Sequence, residues 1–158
     1  MVVPHIHEWI EYIQIPQANL NNLPICPYAK TAIVNDKVLI EELISLDQVR
    51  ELIENVNTAT HWVAVFYYQQ YTSHTVEELS LLVKQLNVEF KPQDKVILDN
   101  DPRTPFSIGD VQTSFDGCYL LLVQSLSDLT IKSNQLKNNT NYYSHWSQKG
   151  LDEVVSWR

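Results

Sequence analysis

The chain has 158 residues, 44% of them hydrophobic and 19% charged, which fits one folded domain with a sizeable core and excludes wholesale disorder. Nineteen Asp and Glu against eleven Lys and Arg give a formal net charge of -8. Nucleic-acid binding and docking on anionic membranes need a basic face instead.

The first amphipathic pattern runs from His7 to Ile15. Trp9, Ile10, Tyr12 and Ile13 recur at helical spacing, with Glu8 and Glu11 between them and Pro16 as the stop. Pro16 to Pro27 is rich in Asn and Pro and reads as an ordered loop. In the stretch from Thr31 to Leu43, the pair Asn35-Asp36 separates Thr31-Ala-Ile-Val from Val38-Leu-Ile. That pattern predicts a hairpin or one long strand. Ser45 or Leu46-Asp47 caps a helix reaching Val56, with Val49, Leu52, Ile53 and Val56 on one face. His61 to Tyr68 is a β-branched and aromatic run, hence a buried strand. Thr75 and Glu78 form a capping box, and Leu79, Leu82, Val83 and Leu86 mark the buried face of the helix that follows.

Lys95 to Leu98 is a short strand leading into Asp99-Asn-Asp-Pro, and Arg103 to Gly117 reads as irregular. Tyr119 to Gln124 is the most hydrophobic strand. Leu126 to Ser144 is helical in part, broken by its Asn-rich stretch, and Leu151 to Trp157 is a short helix. This order predicts an α+β or α/β fold over residues 1–158. We expect a single layered domain, with a mixed sheet of roughly four or five strands and helices mainly on one face.

The three glycines, Gly109, Gly117 and Gly150, are scattered, so the clustered-glycine phosphate loops are absent. No apolar run is long enough to span a bilayer, and the N-terminus has no basic stretch followed by an apolar core. The expectation is a cytoplasmic protein with two free thiols, Cys26 and Cys118, and no membrane or nucleic-acid partner.

Cys26 lies in Leu23-Pro-Ile-Cys-Pro-Tyr-Ala-Lys30. Cys-Pro-Tyr-Ala resembles a glutaredoxin dithiol with Ala29 in the resolving place. Such a thiol sits at a helix N-terminus, which lowers its pKa, whereas strand-like residues are expected after Cys26. As a nucleophile it needs a base, for which His61 and His74 are candidates. The competing reading is a small buried residue pinned by flanking prolines.

The same segment carries a second resemblance. Trp9, Asn22, Leu23, Cys26, Pro27, Ala29 and Lys30 match, with Tyr28 in an aromatic place and Pro24-Ile25 as an insertion. Together they resemble the Asn-Leu-Cys-Pro-Phe-Ala-Lys motif of an uncharacterised bacterial family of similar length. The resemblance covers the N-terminal part of the chain. It implies an intracellular single domain and supplies no activity.

Asp99 and Asp101 follow an apolar strand. Carboxylates so placed can converge on Mg²⁺, and the pattern resembles the metal motif of nucleotide-sugar transferases and the first motif of haloacid-dehalogenase phosphatases. The competing reading is a capped turn. His5, His7 and Glu11 match part of a cupin metal motif, but residues two apart on a helix point in different directions.

Two aromatic groups stand out: Trp62, Phe66, Tyr67, Tyr68 and Tyr71, then Tyr142, Tyr143, Trp146 and Trp157. Half of the first group is expected in the core. The second predicts an exposed Tyr/Trp-rich surface for a protein partner or a second copy. The leading expectation is therefore a protein-binding or regulatory module without catalysis. The alternative is a small enzyme using Cys26 as thiol nucleophile or Asp99 and Asp101 as a divalent-metal site. An enzyme predicts a deep pocket with converging titratable groups, and a module predicts a broad aromatic patch.

Overall fold

The computed structural model describes residues 2–158. Helix α1 (Val2–Ile13) presents Ile6, Ile10 and Ile13 at helical spacing, all buried. Pro16, with no N–H to donate, cannot continue it. Strands β1 (Pro16–Gln17) and β2 (Leu23–Pro24) form a small antiparallel pair. Its connection passes through Asn21 and Asn22, both with positive φ, a conformation Asn tolerates better than most residues.

Helix α2 (Ala29–Val34) replaces the first arm of the expected hairpin. Asn35-Asp36 is a helix stop rather than a hairpin turn. Asp36 has φ 54°, its N–H donates to the Ile33 carbonyl, and the Lys37 N–H donates to the Ala32 carbonyl. These are the two bonds of a Schellman ending. A residue that tolerates positive φ serves either device, so the local signal was ambiguous.

Strand β3 (Val38–Glu42) follows, then a 3-10 turn capped by Ser45 and helix α3 (Val49–Asn55). Strand β4 (Val63–Tyr68) leads to helix α4 (Val76–Phe90), which opens on the Thr75–Glu78 capping box. Strand β5 (Lys95–Asn100) comes next. A two-residue hairpin, β6 (Ser107–Ile108) and β7 (Val111–Gln112), interrupts the segment expected to be irregular. Its turn uses Gly109 at φ 56°, where glycine carries no steric cost. Strand β8 (Tyr119–Ser125) runs directly into helix α5 (Leu126–Asn139), and helix α6 (Gln148–Val154) lies near the C-terminus.

The main sheet has the order β3-β4-β8-β5. Strands β3 and β4 are parallel, and β8 is antiparallel to both its neighbours, β4 and β5. The chain is thus a single layered α/β domain with a four-stranded mixed sheet. The two crossovers, through α3 and through α4, step across the sheet in the same direction. Crossovers of one hand that step the same way put their helices on the same face. Both helices do pack there: Val49 and Ile53 of α3 and Leu79, Val83, Leu86 and Phe90 of α4 join Phe66, Ile97, Leu121 and Val123 in one core. Each fully buried side chain of this size contributes roughly 1.5–3 kcal/mol.

The second face is covered differently. Ile6 and Ile10 of α1, with Phe115, pack on Val65, Tyr67 and Leu120. Ile13, Leu20, Ile25, Ile108 and Val111 form a third cluster that joins α1 to the two small strand pairs. Among the described residues, no helix is long and apolar enough to cross a membrane.

Candidate functional site

Strand β8 is interior to the sheet, so packing on both faces is expected to bury it completely. It does not. Leu121 and Val123 are fully buried against α3 and α4, whereas Leu122 and Gln124, on the opposite face, are only half-buried. Their neighbours on that face, Val63 and Val38, are half-buried as well. These residues lie in the wall of a cavity of about 820 Å³. It is bounded by Ile10 and Ile13 of α1, by the segment around Cys26 and by α5. From there its lining extends past Trp146 to the edge of β5 and the last residues, Trp157 and Arg158.

The cavity is mostly apolar, with a cluster of donors in its wall. The Lys132 ammonium stands 4.9 Å from the centre of the Trp62 ring and 5.4 Å from that of Tyr28. Tyr28 is fixed by donating its hydroxyl to the Lys132 carbonyl at 3.2 Å. The hydroxyls of Ser133 and Tyr143 lie 2.6 Å apart, and Tyr142 donates to the Ile25 carbonyl. Burial raises the Tyr142 phenol far above its ordinary pKa, so it remains a neutral donor. The Arg158 guanidinium is partly enclosed beside Tyr142 and Tyr143, and its Nε donates to the Val154 carbonyl at 2.6 Å. The Trp146 indole N–H is buried and meets no acceptor among the described residues.

Cys26 belongs to this wall. Contrary to expectation, a helix does follow it: α2 begins three residues later. Burial nevertheless dominates and pushes the thiol pKa up, against the smaller lowering by the Tyr28 and Ala29 N–H groups and by Lys132. Neither candidate histidine is hydrogen-bonded to it. His74 lies at the start of α4, where its Nε2 is 3.1 Å from the Tyr68 hydroxyl and its Nδ1 is 3.6 Å from Glu78. His61 is half-buried just before β4, and its N–H donates to the Asn57 carbonyl.

The two carboxylates of the expected metal pair have protein partners. Asp101 is buried and bidentate with Arg103: Oδ1 accepts from Nε at 2.9 Å and Oδ2 from Nη2 at 2.8 Å. Burial acts to raise its pKa, but the Arg103 bonds more than offset this and hold the carboxyl low. Asp99 is exposed as a residue, yet protein atoms crowd its carboxyl. That desolvation raises its pKa despite the bond from the Tyr119 hydroxyl at 3.0 Å, and nearby Asp101 adds to the rise. Among the described residues, no group of three or more His, Cys, Asp or Glu is placed to hold a metal ion. His5 is paired with Glu8 rather than with His7.

The expected aromatic surface is turned inward. Phe66, Tyr67, Tyr68 and Tyr142 are buried, and Trp62, Tyr143, Trp146 and Trp157 are half-buried in the cavity wall. Tyr143 and Trp146 pack on each other with ring centres 5.4 Å apart, and Phe106 packs on Trp146 at 5.5 Å. Lys132, Ser133 and Arg158 were not anticipated from the sequence. The one local hint was Gln124, a polar residue on an interior strand. The chain matches no protein-family model, no curated protein and no solved structure.

Proposed function

We propose that the protein is a binding module for a small, mainly apolar molecule held against the second face of the sheet. The observation that carries this reading is the half-open state of Leu122 on an interior strand whose adjacent residues are fully buried. Leaving such apolar surface uncovered forgoes stabilisation of roughly 25 cal/mol per Å². A ligand that covers it recovers that term. The size of the cavity falls within the usual range for small-molecule sites, about 300–1,000 Å³. Aromatic side chains in the wall, rather than on an outward patch, favour a small ligand over a protein partner.

A fluorescence titration tests this. The probe is 8-anilinonaphthalene-1-sulfonate, displaced by dodecanol, and the variants are Leu122→Trp and Gln124→Phe. The wild type should bind with one saturable site. Each filled variant should keep its unfolding midpoint while losing at least tenfold in affinity, about 1.4 kcal/mol. Absence of saturable binding, or full affinity in both folded variants, would overturn the proposal.

A further inference from the structure

Resting on that reading, we infer that the ligand is an amphiphile: an apolar body on the sheet face, ending in a single carboxylate held by Lys132 and Arg158. Among the described residues, the cavity wall holds donors that no protein acceptor meets. Among the described residues, Lys132 has no acidic partner, and its ammonium is met only by the Trp62 and Tyr28 rings. Of the other cations, Arg50 pairs with Glu89, Arg103 with Asp101, and Lys91 and Lys95 donate to backbone carbonyls, whereas Lys30, Lys37, Lys84 and Lys137 lie outside the cavity wall. Arg158 is partly enclosed, and its one protein acceptor among the described residues is the Val154 carbonyl. The buried Trp146 N–H has none.

A buried donor without an acceptor is costly, and a cation set in an apolar wall lacks the attraction of a counter-charge. An anion brought by the ligand relieves both. The acids in the cavity wall do not fill that role. Asp101 is taken by Arg103, Asp99 accepts from Tyr119, and Glu153 is paired with Lys149. A monoanion also suits a chain of net charge -8 better than a dianion does, because overall repulsion grows with ligand charge. The apolar remainder of the wall, with Ile10, Ile13, Val63 and Leu122, fits a hydrocarbon or aryl chain.

Isothermal titration of the full chain with dodecanoate and with dodecanol, at low salt, is the test. Wild type, Lys132→Met and Arg158→Met are compared, with thermal unfolding as the fold control. The wild type should prefer dodecanoate by tenfold or more. Lys132→Met should bring that ratio towards one by weakening dodecanoate alone, and Arg158→Met should do so in part. Equal binding of acid and alcohol by the wild type would overturn this inference and leave the apolar cavity reading intact. An unchanged ratio in both variants would overturn the assignment of the two cations. If neither compound binds, the cavity reading falls and this inference with it.

Discussion

The side-chain amide of Asn87 meets both backbone groups of Ile97. Its Nδ2 donates to the Ile97 carbonyl at 2.8 Å, and its Oδ1 accepts the Ile97 N–H at 2.9 Å. Strand β5 is an edge of the sheet, and Ile97 is fully buried in its middle. Asn87, itself buried on α4, therefore supplies the hydrogen bonds that a further strand would make there. An open edge is a template for pairing with another chain, and here a helix side chain occupies the template.

Asn87→Leu should be among the most damaging single changes. It leaves the Ile97 N–H and C=O buried without partners, each costing about 1–3 kcal/mol. The expected loss is on the order of 2–5 kcal/mol by urea unfolding. Asn87→Asp can still accept the N–H but places negative charge against the carbonyl, so its loss should be relieved as the medium is acidified. A change within about 0.5 kcal/mol for Asn87→Leu, the range of neutral surface substitutions, would remove Asn87 from this role.

Lys95 supports the other end of the same strand. It is buried, and its ammonium donates to the Ile53 and Glu54 carbonyls at 3.0 and 2.9 Å. These are carbonyls in the last turn of α3, where that of Ile53 also accepts the Val56 N–H, and a cation there faces the negative end of the helix dipole. Lys95→Met keeps the stem and removes both bonds. Chemical unfolding should show a loss of about 1–3 kcal/mol, and the amides of α3 should exchange faster. Unchanged exchange in α3 would contradict the capping role.

The legible parts of the fold are those where one local pattern suffices. Strand β4 is a continuous β-branched and aromatic run, and α4 opens on Thr75 and Glu78 with a clear apolar face. Helix α2 was not legible, because Asn35-Asp36 suits a hairpin turn and a Schellman ending alike. Cys26 could be singled out by its prolines, but burial, which sets its chemistry, depends on α1, α5 and the C-terminal residues together. The cavity was least legible. Leu120 and Leu122 sit on the same face of β8, and nothing local distinguishes the one α1 covers from the one left half-open.

Acid should weaken the junction between β5 and α5. Asp94 accepts from the Ser127 hydroxyl at 2.7 Å, the Ser127 N–H at 2.8 Å and the Ser125 hydroxyl at 2.9 Å. These bonds, the Ser127 hydroxyl foremost, hold its carboxyl below the usual carboxylate range against a smaller opposing effect of burial. A carboxyl depressed in the folded state takes up its proton more readily once unfolded. Its contribution is therefore complete above the unfolded value of about 3.9 and is lost as pH falls through the lower folded value. Asp101 is depressed too and adds to the same slope. Asp94→Asn tolerates the positive φ of 59°. It should be less stable than wild type at neutral pH and should lose less stability on acidification from about pH 5 to 2. Parallel curves for the two proteins would show that Asp94 contributes nothing to the acid response.

The two thiols should report separately on the cavity. Burial raises the Cys26 thiol, and burial with a smaller effect of Glu42 raises Cys118 to about 11. Because the thiolate is the nucleophile, both should react with iodoacetamide more slowly at pH 7 than a free thiol of pKa about 8.5. Raising the pH should speed both, and the two sites differ in place: Cys26 lies in the cavity wall, whereas Cys118 is 1% exposed under α1 and Phe115. Saturating dodecanoate should then slow labelling of Cys26 and leave Cys118 unchanged, since only the former borders the cavity. Mass spectrometry of the two cysteine peptides reads each rate. Rapid labelling of Cys26 at neutral pH would mean an activated thiol and revive the nucleophile reading. Equal protection of both thiols by the ligand would mean a global tightening of the fold rather than occupancy beside Cys26.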